Sequence, residues 1–202
     1  MSPLRRGILG GTFDPPHLGH LVAATNARQD LQLDEVWFVP AGDPYRKAGR
    51  MISSRADRLR LVQAAIADLP WARVSTIELD RDGPTYTTDT LRELVRDGGQ
   101  WWFILGSDAL DDLPHWREPA TIVDQVRLAL ARRPGVGESE IPRETLSAVP
   151  GIESRIDYIE MPLLEISSTD LRERIRDGRT TEFLVTAAVR SAINELGLYE
   201  GG

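Results

Sequence analysis

Six short apolar runs alternate with segments of helical spacing along this chain, and that alternation narrows the possible folds more than any other feature. The runs are Leu4 to Leu9, Glu35 to Val39, Arg73 to Leu79, Trp101 to Leu105, Arg127 to Ala131 and Ile156 to Met161. Between them, Leu18, Leu21, Val22 and Thr25 recur at helical spacing, as do Leu59, Val62, Ile66 and Leu69 from a start near Ser53, and then Leu91, Leu94 and Val95. Strand, helix, strand is the βαβ unit, whose crossover lays successive strands parallel. The expected fold is therefore α/β, a doubly wound, mostly parallel sheet flanked by helices.

The end of the chain reads as helical. Leu171 and Ile175 mark one helix, and Val185, Val189, Ile193 and Leu196 mark another that stops at Gly197. With 202 residues and 41% hydrophobic composition, the chain can bury a substantial core, and its size suits one domain, 1–202, with a small helical portion over about 167–202. The stretch Pro134 to Gly151 is rich in Pro, Gly, Glu and Ser and reads as a variable surface segment. Residues 41–52, rich in Gly, Pro and basic side chains, read as a loop that orders when substrate binds.

Other classes are argued against by composition. Cysteine is absent, so disulfides and thiolate metal sites are excluded. No apolar run is long enough to cross a bilayer, and the start runs straight into a glycine turn, so the expected setting is cytoplasmic, with no membrane partner. A formal net charge of -7 argues against capture of nucleic acid by a basic surface, although a small anion needs only a local positive pocket.

Such a pocket is suggested at the first strand end. Gly10-Gly11-Thr12-Phe13-Asp14-Pro15-Pro16-His17-Leu18-Gly19-His20 joins a glycine turn to two histidines three residues apart at a helix start, which places both imidazoles on one face. Glycines let backbone approach a phosphate, and helix N–H groups with the positive dipole end favour its charge. Two glycines alone would mark only a tight turn; the histidine spacing is what points to phosphate chemistry. A second segment, Ile166-Ser167-Ser168-Thr169-Asp170-Leu171-Arg172, sets hydroxyls at another helix start with an arginine just inside. Alone it would read as a plain N-cap.

Taken together, the two segments resemble the nucleotidyltransferase superfamily, whose signatures are (T/S)xxxHxGH after the first strand and ISSTxxR near the end, with Leu171 where isoleucine is common. The group is similar in fold to class I aminoacyl-tRNA synthetases, a Rossmann-like sheet. The resemblance implies attack on the α-phosphate of a nucleoside triphosphate, with pyrophosphate leaving. Between the two signatures, Gly83-Pro84-Thr85-Tyr86-Thr87-Thr88-Asp89-Thr90-Leu91, Gly106-Ser107-Asp108, Trp116 and Arg132-Arg133-Pro134-Gly135 resemble the bacterial nicotinate-nucleotide adenylyltransferases, as does the ending Gly197-Leu198-Tyr199.

That likeness implies an enzyme that joins AMP from ATP to nicotinic acid mononucleotide in NAD biosynthesis. His17, His20, Lys47 and Arg172 would be catalytic. Gly10, Gly11, Thr12, Phe13, Asp108, Ile166, Ser167, Ser168 and Thr169 would join His17, His20 and Arg172 around ATP. Asp14, Lys47, Thr85, Tyr86, Thr87, Trp116, Arg117 and Arg133 would hold the acceptor, Trp116 stacking on the pyridine ring. Magnesium would be carried mainly by the ATP phosphates, with no metal site of the protein's own. Two departures stand out: Tyr45 and Arg46 replace a proline and a histidine before Lys47, and Thr186 replaces a proline at the last helix. The competing readings are an adenylyltransferase for nicotinamide mononucleotide or phosphopantetheine, a non-catalytic dinucleotide sensor, and an RNA-binding relative of the synthetases. Association of copies into a homo-oligomer is compatible with the sequence.

Overall fold

The computed structural model describes residues 3–43, 52–132 and 141–200. Its strands are β1 (Arg5–Gly11), β2 (Glu35–Pro40), β3 (Ala72–Val74), β4 (Gln100–Gly106), β5 (Arg127–Arg132) and β6 (Ile156–Glu160). They form one sheet in the order β3-β2-β1-β4-β5-β6, every neighbouring pair parallel. The winding reverses between β1 and β4. Their carboxyl ends part there and open the crevice in which doubly wound sheets hold ligands.

Strict alternation along the central strands builds two cores. Leu9, Phe38, Trp102, Ile104 and Ala129 face one side, while Ile8, Val39, Trp101, Phe103, Leu105, Leu128 and Leu130 face the other. The first side is covered by helices α1 (Leu18–Asp30), α2 (Arg55–Ile66), α7 (Ser168–Arg176) and α8 (Ala187–Leu196), which contribute Ala24, Ala27, Val62, Leu171 and Ile193. The second is covered by α3 (Thr87–Leu94), α4 (Ser107–Asp112) and α5 (Pro119–Gln125), with α6 (Arg143–Ala148) close by.

Several elements differ from the sequence reading for local reasons. The third strand is not Arg73 to Leu79 but the three residues Ala72–Val74. It is an edge strand, and after Ser75 donates to the Phe38 carbonyl at 3.0 Å the chain turns away across the carboxyl ends of the sheet. On α1 the fully buried positions are Ala24 and Ala27, so small residues meet the sheet while Leu18, Leu21, Val22 and Thr25 are half-buried. On α2 the buried stripe is Arg58, Leu61, Val62, Ala65 and Ile66, and Leu69 lies past the helix end. The Pro134 to Gly151 stretch is more than surface: within it, α6 buries Thr145, and Val149 joins the second core. Helices α4, α5 and α6 span only six or seven residues, too short for a 3.6-residue period to show.

The helix starts follow capping chemistry. Ser54 accepts from the Asp57 N–H at 3.1 Å, Ser167 from Asp170 at 3.1 Å and Thr186 from Val189 at 3.2 Å.

Candidate active site

At the mouth of the β1–β4 crevice, β1 ends in Gly10 and Gly11, and the chain enters α1 through Thr12–His17. Gly11 sits tightly against its neighbour: a Cβ would come within 3.1 Å of the Phe13 ring, which would have to give way. That ring is 1% exposed, and Phe13 is held at φ 52, a backbone region that costs a non-glycine residue about 1 kcal/mol or more. The strained residue lies beneath the two histidines. Its ring meets His20 edge-on at 5.0 Å between centroids, and the His17 and His20 rings lie 3.8 Å apart.

His17 is the N-cap of α1, and its main-chain N–H donates to His20 Nδ1 at 3.2 Å. An Nδ1 that accepts leaves the proton of the neutral His20 imidazole on Nε2, which is therefore a donor. Burial pushes the His17 pKa down to about 4. His17 is uncharged at neutral pH, and among the described residues that line this cavity the fixed cation is Arg172.

Arg172 comes from α7 and reaches the loop from the far end of the chain. Its Nη1 donates to the Asp14 carbonyl at 2.7 Å and its Nη2 to Thr169 Oγ1 at 3.2 Å. Ser168 Oγ donates to the Pro15 carbonyl at 2.8 Å. Thr12, His17, His20, Ser167, Ser168 and Arg172 line one cavity, closed by Phe13, Ile166, Thr169 and Ile52. The amino-terminal amides of α7 and the Arg172 guanidinium suit this cavity chemically to phosphate oxygens.

A second cavity lies on the other side of Thr12. Gly10, Gly11, Thr85, Tyr86, Thr87 and Trp116 line it with Arg117, over an apolar floor that includes Phe103 and Ile122. Its wall depends on a close approach, since a Cβ on Gly42 would lie 2.2 Å from the Glu78 carbonyl oxygen. The Trp116 ring stands edge-on to Phe103 at 6.0 Å, and its Nε1 donates to Asp112 at 3.0 Å, which fixes the orientation of the indole. The Arg117 guanidinium lies 4.7 Å over the Tyr86 ring. Apolar and aromatic surface with a few polar groups at one end suits a flat heterocycle bearing an anion.

Most residues named from the sequence gather in these two cavities, though not always in the expected one. Gly10 and Gly11 line the aromatic cavity, while Asp14 lines the phosphate cavity and turns its carboxylate to other protein groups. Asp108 lies exposed in the first turn of α4 and lines neither cavity. Lys47 and Arg133 lie outside the described residues, as do Tyr45 and Arg46 and most of the 41–52 loop.

One contributor escaped the sequence reading. Arg58 is 1% exposed, and its guanidinium donates to the carbonyls of Ser53, Thr12 and Gly42 at 3.0–3.1 Å, joining three loops behind the cavities. Burial lowers its pKa, and the nearby Asp14 charge opposes that effect. The available signal was an arginine on the apolar stripe of α2, at helical spacing from Leu61, Val62 and Ala65.

Comparison with known proteins identifies the family and the fold. The cytidylyltransferase-like family model matches residues 8–174. The chain is similar to a probable nicotinate-nucleotide adenylyltransferase of Dehalococcoides mccartyi (strain CBDB1), at 44% identity over 202 residues and 98% of each chain. It is also similar to one of Thermomicrobium roseum, at 40% identity over 96% of this chain and 91% of the other. Among solved structures it shares the fold of the Plasmodium falciparum nicotinic acid mononucleotide adenylyltransferase complexed with NaAD, with a TM-score of 0.73 at 19% identity over 97% of both chains.

Proposed function

This chain belongs to the cytidylyltransferase-like family and, within it, to the nicotinate-nucleotide adenylyltransferases, and we propose that it joins the AMP part of ATP to the 5′-phosphate of nicotinic acid mononucleotide. The products are nicotinic acid adenine dinucleotide and pyrophosphate. The observation that carries the reading is the meeting of the two cavities at Thr12, one fitted to phosphates and the other to a flat ring. ATP in the first and the mononucleotide in the second would bring the reacting groups together over the Gly11–Thr12 turn.

The acceptor phosphate is already an anion at neutral pH, so one of its oxygens attacks the α-phosphorus in line without a general base. The new O–P bond forms as the bond to the bridging oxygen of pyrophosphate breaks. Catalysis is then placement and neutralisation of charge. His20 Nε2–H donates to an α-phosphate oxygen whose charge grows in the transition state. Arg172, Ser168 and the α7 amides hold the outer phosphates, and Lys47 adds a cation from the neighbouring loop. His17, uncharged, serves as a packing surface and hydrogen-bonding partner.

Trp116 carries the pyridine ring, and backbone groups near Thr87 and Arg117, with Arg117 itself, favour a carboxylate over an amide. Magnesium arrives on the ATP phosphates and supplies further positive charge when bound. The Asp14 carboxylate is hydrogen-bonded to Tyr199 and Ser53. The whole chain, 1–202, would act as one transferase unit in the cytoplasm.

The test is to incubate the protein with ATP and magnesium and either nicotinic acid mononucleotide, nicotinamide mononucleotide or phosphopantetheine, and to weigh the products by mass spectrometry. The acid dinucleotide should form fastest. Faster conversion of another acceptor would overturn the assignment of the aromatic cavity.

A further inference from the structure

We propose that Tyr199 is a positioning residue for the triphosphate cavity, acting through Asp14 on Arg172. The proposal rests on the reading of that cavity as the ATP site. Tyr199 does not line the cavity, yet it touches a residue that does. Its Oη donates to Asp14 Oδ1 at 2.6 Å across 185 positions of sequence. Burial first, and the Asp14 carboxylate second, push the phenol well above its ordinary pKa, so it keeps the proton it donates.

Asp14 is 4% exposed and joins two hydrogen-bond systems. Its carboxylate accepts from Tyr199 and, at 3.4 Å, from the Ser53 N–H, while its main-chain carbonyl accepts from Arg172 Nη1. The side chain is thereby anchored to the chain's end, and the same residue's carbonyl aims the guanidinium that meets phosphate. The geometry of the contact is not relaxed: Tyr199 is held at φ 66, a left-handed conformation rare for a tyrosine and sustained only where surrounding contacts demand it.

Removal of the hydroxyl would leave a buried carboxylate one donor short. Arg172 already donates to the main-chain carbonyl of the same residue, and a carboxylate that turns to Arg172 withdraws it from phosphate. Tyr199→Phe keeps the ring packed against the first core, so it isolates the hydroxyl.

The experiment measures the ATP dissociation constant by calorimetry in the full chain, with KM for both substrates, for the wild type, Tyr199→Phe, Asp14→Asn and the double variant. Tyr199→Phe should weaken ATP roughly tenfold, the loss of one hydrogen bond to a charged group, and leave the acceptor KM within about twofold. In the Asp14→Asn background, where no charge is left unpaired, the Tyr199 change should add little. Should the wild type bind ATP but transfer AMP to no mononucleotide, the proposed function fails while the ATP constants still decide the role of Tyr199. A Tyr199→Phe protein that melts at a lower temperature but binds ATP as tightly as the wild type would overturn the proposal, because the contact would then be structural only.

Discussion

Gly19 lies directly against the His17 imidazole: a Cβ at position 19 would come within 3.0 Å of Nδ1 and 3.1 Å of Cε1. A side chain at position 19 would therefore press on the imidazole and shift it from its place beside His20. Gly19→Ala should displace His17 and with it the partner ring 3.8 Å away. Turnover should fall roughly tenfold, about 1.4 kcal/mol of transition-state stabilisation, with the melting temperature changed by no more than a few degrees. Steady-state kinetics beside a thermal melt checks both.

His17 also gives the protein a defined response to acid. Its folded pKa of about 4 lies below the unfolded value of 6.5, so between these limits the unfolded chain binds more protons than the folded one. Stability therefore rises with pH across that window and is lost as pH falls from about 6.5 toward 4, by about 3 kcal/mol at most. Urea unfolding of the wild type and His17→Asn at pH 4.5 and 7 should show a smaller pH dependence in the variant.

Arg58→Met removes the donors that hold Thr12, Ser53 and Gly42 together and leaves three carbonyls without them. The expected loss is about 3–5 kcal/mol in urea unfolding. Arg58→Lys should recover only part of it, since an ammonium lacks the planar fork that reaches three separate acceptors.

Trp116→Ala should raise the acceptor KM roughly ten- to hundredfold, in line with about 1–3 kcal/mol for stacking of a base on an aromatic ring, and leave the ATP KM near its original value. Trp116→Phe should fall between the two, because it keeps a ring but loses the Asp112 hydrogen bond that orients it. Initial rates with each substrate varied in turn measure the separation.

These residues show which parts of the molecule the sequence disclosed. The central strands were legible as continuous apolar runs because both faces of the sheet are covered, so that Ile8 enters one core and Leu9 the other. The segments Thr12 to His20 and Ile166 to Arg172, which meet at one cavity, stood out because their histidines, hydroxyls and arginine lie close together in sequence. Asp14 lines the cavity of the two histidines rather than the aromatic one, and its direction is set by Tyr199, a partner 185 positions away that no local pattern displays. The third strand was overlong on paper because an apolar residue such as Leu79 can be buried in a turn as well as in a sheet. Asp108 follows a strand and a glycine as a ligand-binding carboxylate would, yet it points from an exposed helix turn.

Adenylyl transfer itself is tested most directly by pyrophosphate release from ATP and magnesium in the presence of nicotinic acid mononucleotide, with the wild type and His20→Ala measured side by side. The account predicts sustained release by the wild type that depends on the mononucleotide, and a loss of about a hundredfold or more in kcat when the His20 donor is removed. Release that is absent, independent of the mononucleotide, or equally fast without His20 would contradict it.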